Sequence, residues 1–95
     1  MDKKLKAKWV KALRSGEYKQ GKGYLEDRGK FCCLGVLADA VGRERLGIAA
    51  HQNSFLRNAR NEEIVLPVEV QRALADLNDR RVPFEVIAGL INEAL

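Results

Sequence analysis

The chain has 95 residues, 46% apolar and 32% charged, with 17 Lys and Arg against 13 Asp and Glu for a formal charge of +4. That length suits one small domain, the apolar share argues against wholesale disorder, and no apolar run approaches the roughly 18 residues a membrane helix needs. The basic start MDKKLKAKW has no apolar segment behind it, so it does not read as a signal peptide, and the two cysteines then point to a reducing, cytoplasmic setting.

The charge is uneven. Residues 1–30 carry +6 and residues 31–95 carry −2, and seven of the eight lysines fall within the first 22 positions. Such a lobe suits phosphate or an acidic protein surface, but a solvated helix face with a solubilising tail accounts for it better. A domain this small spends nearly all its apolar residues on one core. That leaves little for a deep, walled active site and favours a binding surface.

In chain order, Leu5, Trp9, Ala12 and Leu13 recur on one helical face, with most lysines off that stripe. The spacing predicts a helix over 3–15, anchored by Trp9 and closed by Gly16. Next, Tyr24-Leu25 and Phe31-Cys32 flank Glu26-Asp27-Arg28-Gly29-Lys30, which reads as a small hairpin with a positive φ at Gly29. From Cys33 to Val41 only Asp39 is charged, so a central helix is expected, with Gly35 allowing close packing and Gly42 ending it. In 43–65, Phe55-Leu56 and Ile64-Val65-Leu66 suggest a second hairpin.

Pro67 and Pro83 suit the first positions of two further helices. The inward face of the first is expected at Val70, Ala73, Leu74 and Leu77, with Asn78-Asp79 at its end. That of the second is expected at Phe84, Ile87, Ala88, Leu90, Ile91, Ala94 and Leu95. The architecture that emerges is α+β and α-rich: about four helices with one or two short hairpins around a single core over residues 1–95.

Few residues carry a chemical signal. Cys32-Cys33 is too close for an unstrained disulfide and too few for zinc, so core filling is the expectation. His51 has no nucleophile or carboxylate at a motif spacing and reads as a loop residue. Gln20-Gly21-Lys22-Gly23 lacks the spacing of a nucleotide-binding loop, although its amides with Lys19 and Lys22 would suit an anion. The two C-terminal helices resemble a helix-turn-helix only in order. Glu85, Gly89, Asn92 and Glu93 on the outward face of the second would repel a phosphate backbone. No catalytic residue, metal or cofactor is indicated.

The string WVKALRSGEYKQGKGYL at 9–25, then FCCLGVLAD at 31–39, resembles a widespread family of small proteins encoded by tailed bacteriophages and prophages. LPVEV at 66–70, ADLND at 75–79 and PFEVIAGLI at 83–91 are also similar to it. The family often has a further Cys-like position where this chain has Ala38, which weakens any thiol or metal role. The resemblance implies an accessory protein of the infected bacterial cytoplasm and transfers no catalytic residue. The expected function is non-enzymatic binding of a host or phage protein. The candidate contacts are Arg14, Tyr18, Lys19, Gln20, Lys22 and Tyr24, residue types suited to interfaces. The alternative is nucleic acid or nucleotide bound by the basic N-terminal third.

Overall fold

A computed structural model of the chain describes residues 1–49, 55–58, 60 and 65–95. Helix α1 (Lys3–Arg14) begins at Asp2, whose Oδ1 accepts from the backbone N–H of Lys4 at 2.7 Å and of Leu5 at 3.1 Å. Those bonds, the one from Leu5 foremost, hold the Asp2 carboxyl below the usual range, since they favour its charged form. The apolar stripe turns Trp9, Val10 and Leu13 into the core. Trp9 is fully buried, and its Nε1–H donates to the Cys33 carbonyl at 2.8 Å, so the indole loses no hydrogen bond on burial.

The expected hairpin is present. Strand β2 (Glu26–Asp27) runs antiparallel to β3 (Lys30–Phe31) around Arg28-Gly29, both at positive φ (55° and 80°), as a two-residue hairpin loop requires. A third strand, β1 (Lys19–Gln20), pairs parallel with β3, setting Lys19 opposite Lys30 and Gln20 opposite Phe31. The sheet order is β1-β3-β2. Two residues are too short for any alternation, so β1 leaves no mark in the hydropathy pattern.

Helix α2 (Cys33–Val41) is the centre of the fold, buried without interruption from Cys33 to Ala38. Cys32 is its N-cap, and its Sγ accepts from the Gly35 N–H at 3.4 Å. A side chain at Gly35 would overlap the carbonyl oxygen of Leu25, so glycine is what lets the chain before β2 lie directly on α2. Gly42 ends α2 at φ 101° and leads into the short α3 (Arg43–Leu46), closed by Gly47 at φ 73°. Its four residues are too few to show helical periodicity.

Beyond α3, Ala49 N–H donates to the Arg57 carbonyl at 3.0 Å, and Ile48, Leu56 and Leu66 join the core. The expected second hairpin involves Ile64, which with His51 lies outside the described residues.

Helices α4 (Val68–Asp79) and α5 (Phe84–Ala94) follow, with Pro67 and Pro83 at their N-caps, one position earlier than expected. Two inward faces need correction. On α4 the buried residues are Gln71, Leu74 and Asn78, whereas Val70 and Leu77 are half-buried and Ala73 is exposed. The helix is rolled toward its amides because neighbouring buried backbone groups need hydrogen-bond partners there. On α5, Phe84, Ile87, Ala88 and Ile91 fill the core, while Leu90 and Ala94 face outward. This helix has more apolar residues than one face holds. Helix α1 packs on α2 and α5, and α4 closes the other side of α2. Among the described residues, five helices and one small sheet make an α-rich α+β fold.

Candidate functional site

Asn78, 1% exposed near the end of α4, organises one edge of the molecule. Its Oδ1 accepts from Gln20 Nε2 at 3.0 Å and from the Cys33 N–H at 3.2 Å, and its Nδ2 donates to the Gly21 carbonyl at 2.8 Å. One side chain thus ties together the C-terminal end of α4, the start of α2 and the end of β1. Gln20 Nε2 also donates to the Val82 carbonyl at 2.7 Å, and the Gly23 N–H donates to Asp79 Oδ1 at 3.2 Å. Residues 20–23 are therefore fastened to the α4 end by side-chain bonds from both directions. Hydrogen-bonded networks of this kind in a low-dielectric setting rigidify what they hold.

Beside this framework lies a cleft of about 500 Å3 lined by Gln20, Gly21, Lys22, Tyr24, Asp27, Lys30, Asn78 and Arg81. Three cations, Lys22, Lys30 and Arg81, and one anion, Asp27, line it. Lys22, Lys30 and Arg81 make no ion pair among the described residues. Tyr24 leaves 51% of its surface in solvent, a large exposure for an aromatic ring beside a cleft.

The six residues expected from the sequence divide here. Gln20, Lys22 and Tyr24 line the cleft. Lys19 lies on β1 outside it, and Arg14 lines a separate shallow depression with Ala7, Val10, Lys11, Ser15 and Asn92. Tyr18 packs edge-on against Phe31, with ring centroids 5.1 Å apart, and donates to Asp39 Oδ2 at 2.6 Å. Burial first and the Asp39 bond second push its phenol up to about 12. Gln20 is at the cleft as a brace, because its amide nitrogen is already committed twice. The sequence pattern passes over Lys30, Asn78 and Arg81, which the fold delivers from the hairpin and the α4 end. The anion loop considered for 20–23 is also corrected. Gly21 N–H is bound to the Phe31 carbonyl at 2.8 Å and Gly23 N–H to Asp79, so these amides are not offered to a ligand.

The thiols are placed as core. Cys33 is fully buried and its Sγ–H donates to the Leu74 carbonyl at 3.5 Å. Burial foremost, then the neighbouring Cys32, raises its ionisation far above the usual thiol range. Burial likewise raises Cys32 against the lowering effect of its bond from Gly35. Both are held as protonated thiols, a poor state for nucleophilic or metal chemistry. Among the described residues no three His, Cys, Asp or Glu side chains cluster as a metal site, and no helix is long and apolar enough to cross a membrane.

The chain belongs to the family described as a domain of unknown function (DUF8296), whose family model matches residues 1–73. No curated protein and no solved structure matches it. The match takes in α1, the sheet, α2, α3 and the first half of α4. It stops before Asn78 and Arg81, so one wall of the cleft lies beyond the matched segment.

Proposed function

We propose that this member of the DUF8296 family is a non-enzymatic binding protein that engages a host or phage protein in the bacterial cytoplasm. Its recognition site is the cleft between residues 20–24, the β2–β3 hairpin and the end of α4, and its partner presents an acidic segment. The observation that carries this reading is the set of three unpaired cations, Lys22, Lys30 and Arg81, around a cleft braced by Asn78 and Gln20. Unpaired charges on a rigid wall attract a partner of opposite sign without first breaking internal ion pairs. Tyr24 supplies the exposed aromatic surface that protein interfaces favour.

The test is capture from nuclease-treated bacterial lysate at about 200 mM salt, a concentration that strips most phosphate-backbone binding. Wild-type protein and Arg14→Glu, altered far from the cleft, retain a protein partner that Lys22→Glu with Lys30→Glu loses. Capture that ignores the double charge reversal refutes the cleft as the site. A second reading, nucleic acid, draws on α1, which carries six Lys and Arg and no acid within its 12 residues. Recovery of nucleic acid alone, lost with nuclease or salt and with charge reversal on α1, would select it.

A further inference from the structure

Arg81 adopts a backbone conformation, φ 65°, that residues with a side chain avoid. It stands just past the end of α4, where the Val82 N–H donates to the Leu77 carbonyl at 3.1 Å and the Arg81 N–H to the Asn78 carbonyl at 2.9 Å. This paired closure forces a left-handed residue after the helix, a position that glycine fills most readily. The chain follows that preference elsewhere: Gly16, Gly42 and Gly47 stand at positive φ after α1, α2 and α3. Helix α4 is the exception, and the residue placed there lines the cleft together with Lys22, Lys30 and Asn78.

We propose that Arg81 sets the ligand class of the cleft, reading carboxylates of an acidic peptide segment with its guanidinium, and that its strained conformation is retained for that purpose. The inference rests on the cleft reading above. A guanidinium is planar and presents a fixed fork of donors that matches the two oxygens of a carboxylate, whereas the two lysines act as point charges that draw the segment in. The α4 end is itself fixed by the Asn78 bonds to Gly21 and Cys33, so the Arg81 backbone is held before any ligand arrives.

The experiment pairs stability with binding in Arg81→Gly, Arg81→Lys, Arg28→Gly and Lys22→Glu with Lys30→Glu. Arg28 is the control, because it also has positive φ (55°) but lies at the hairpin turn outside the cleft lining. The probe is hexaglutamate, followed by amide chemical shifts, with inorganic phosphate as a parallel arm. Arg81→Gly and Arg28→Gly should each raise the thermal midpoint by about 5 °C, since each relieves a left-handed side-chain residue. Of the two glycine variants only Arg81→Gly should weaken hexaglutamate, about tenfold, the scale of one charge-assisted bidentate contact, with Arg81→Lys between it and wild type, and the double lysine reversal should lose binding as well.

Unchanged hexaglutamate binding in Arg81→Gly, with loss in the double lysine reversal, overturns the role of Arg81 and leaves the cleft standing. Binding that ignores both variants overturns the cleft itself. Phosphate held more tightly than hexaglutamate in an Arg81-dependent manner overturns the carboxylate assignment. A fall in the Arg81→Gly midpoint shows that Arg81 is kept for packing and overturns the inference.

Discussion

One glycine makes a demanding test of the packing described for this fold. Gly35 sits inside α2, where replacing it by Ala would by helix propensity stabilise the protein by about 1 kcal/mol. The structure sets the opposite sign. A Cβ at Gly35 would overlap the Leu25 carbonyl oxygen and lie 2.5 Å from the Leu25 carbonyl carbon and 2.9 Å from its Cα, where ordinary contact starts near 3.4 Å. These are backbone atoms, so no rotamer change relieves them, and α2 must move away from the Leu25 segment, a displacement a close-packed interior resists. Overpacking of this kind costs about 1–3 kcal/mol. The same movement strains the Cys32 N–H to Leu25 carbonyl bond of 3.3 Å, worth about 1 kcal/mol. After the propensity gain the net loss is about 1–3 kcal/mol, against a total near 5–14 kcal/mol for a domain of this length. The thermal midpoint should fall by roughly 5–20 °C. Gly89 supplies the matched control: it too lies inside a helix, α5, and its Cβ would meet nothing within 4 Å. Gly89→Ala should therefore gain up to about 1 kcal/mol. Urea unfolding followed by circular dichroism measures both. If Gly35→Ala proves as stable as wild type, the close approach of Leu25 to α2 is wrong, and with it the placement of the hairpin and the cleft.

Two further predictions concern polar contacts. Gln71, fully buried on α4, accepts from the Leu56 N–H at 3.0 Å and donates to the Leu56 carbonyl at 3.4 Å and the Leu66 carbonyl at 3.1 Å. Gln71→Leu strands those backbone groups in the core and should cost about 2–4 kcal/mol. It should also speed amide exchange at Leu56, and unchanged exchange there would show that Gln71 does not anchor this segment. The Tyr18 phenol, raised to about 12 by burial and by its bond to Asp39, supports the fold only while protonated. Its contribution should be intact below pH 10 and decline as pH climbs from 10 towards 12. The stability gap between wild type and Tyr18→Phe should accordingly be flat from pH 7 to 9 and shrink above 10; a gap that widens there reverses the sign of the linkage.

The parts of this fold that are legible in the sequence are those where hydropathy or turn chemistry speaks locally. Leu5, Trp9 and Leu13 mark α1, the unbroken apolar run marks α2, and Arg28-Gly29 between short apolar pieces marks the hairpin. The same rule misplaces the inner face of α4. A reading by hydropathy assigns polar residues to solvent, and here Gln71 and Asn78 point inward because the backbone of Leu56, Leu66, Gly21 and Cys33 needs partners. Nothing near Asn78 in sequence announces that demand. It arises only when Gly21 and Cys33, 57 and 45 residues away, come into place.

The cleft is hidden for the same reason. Lys22 and Tyr24 stand in a stretch already conspicuous for its glycines and charge, whereas Arg81 belongs to a different surface of the sequence and meets them only through Asn78 and Gln20. A faint local sign does exist. Helices α1, α2 and α3 all end on glycine, and α4 ends in Asn78-Asp79-Arg80-Arg81-Val82 without one. Pro83 bars α4 from running on past Val82, and tertiary contacts fix the turn within that limit. The buried amide of Asn78 and the carbonyl of Val82, accepting from Gln20 at 2.7 Å, are the contacts that do so. The brace that fixes the end of α4 and the wall that presents Arg81 are thus one structure. Loosening the brace at Gln20 or Asn78 should weaken acidic-peptide binding even though neither residue carries a charge.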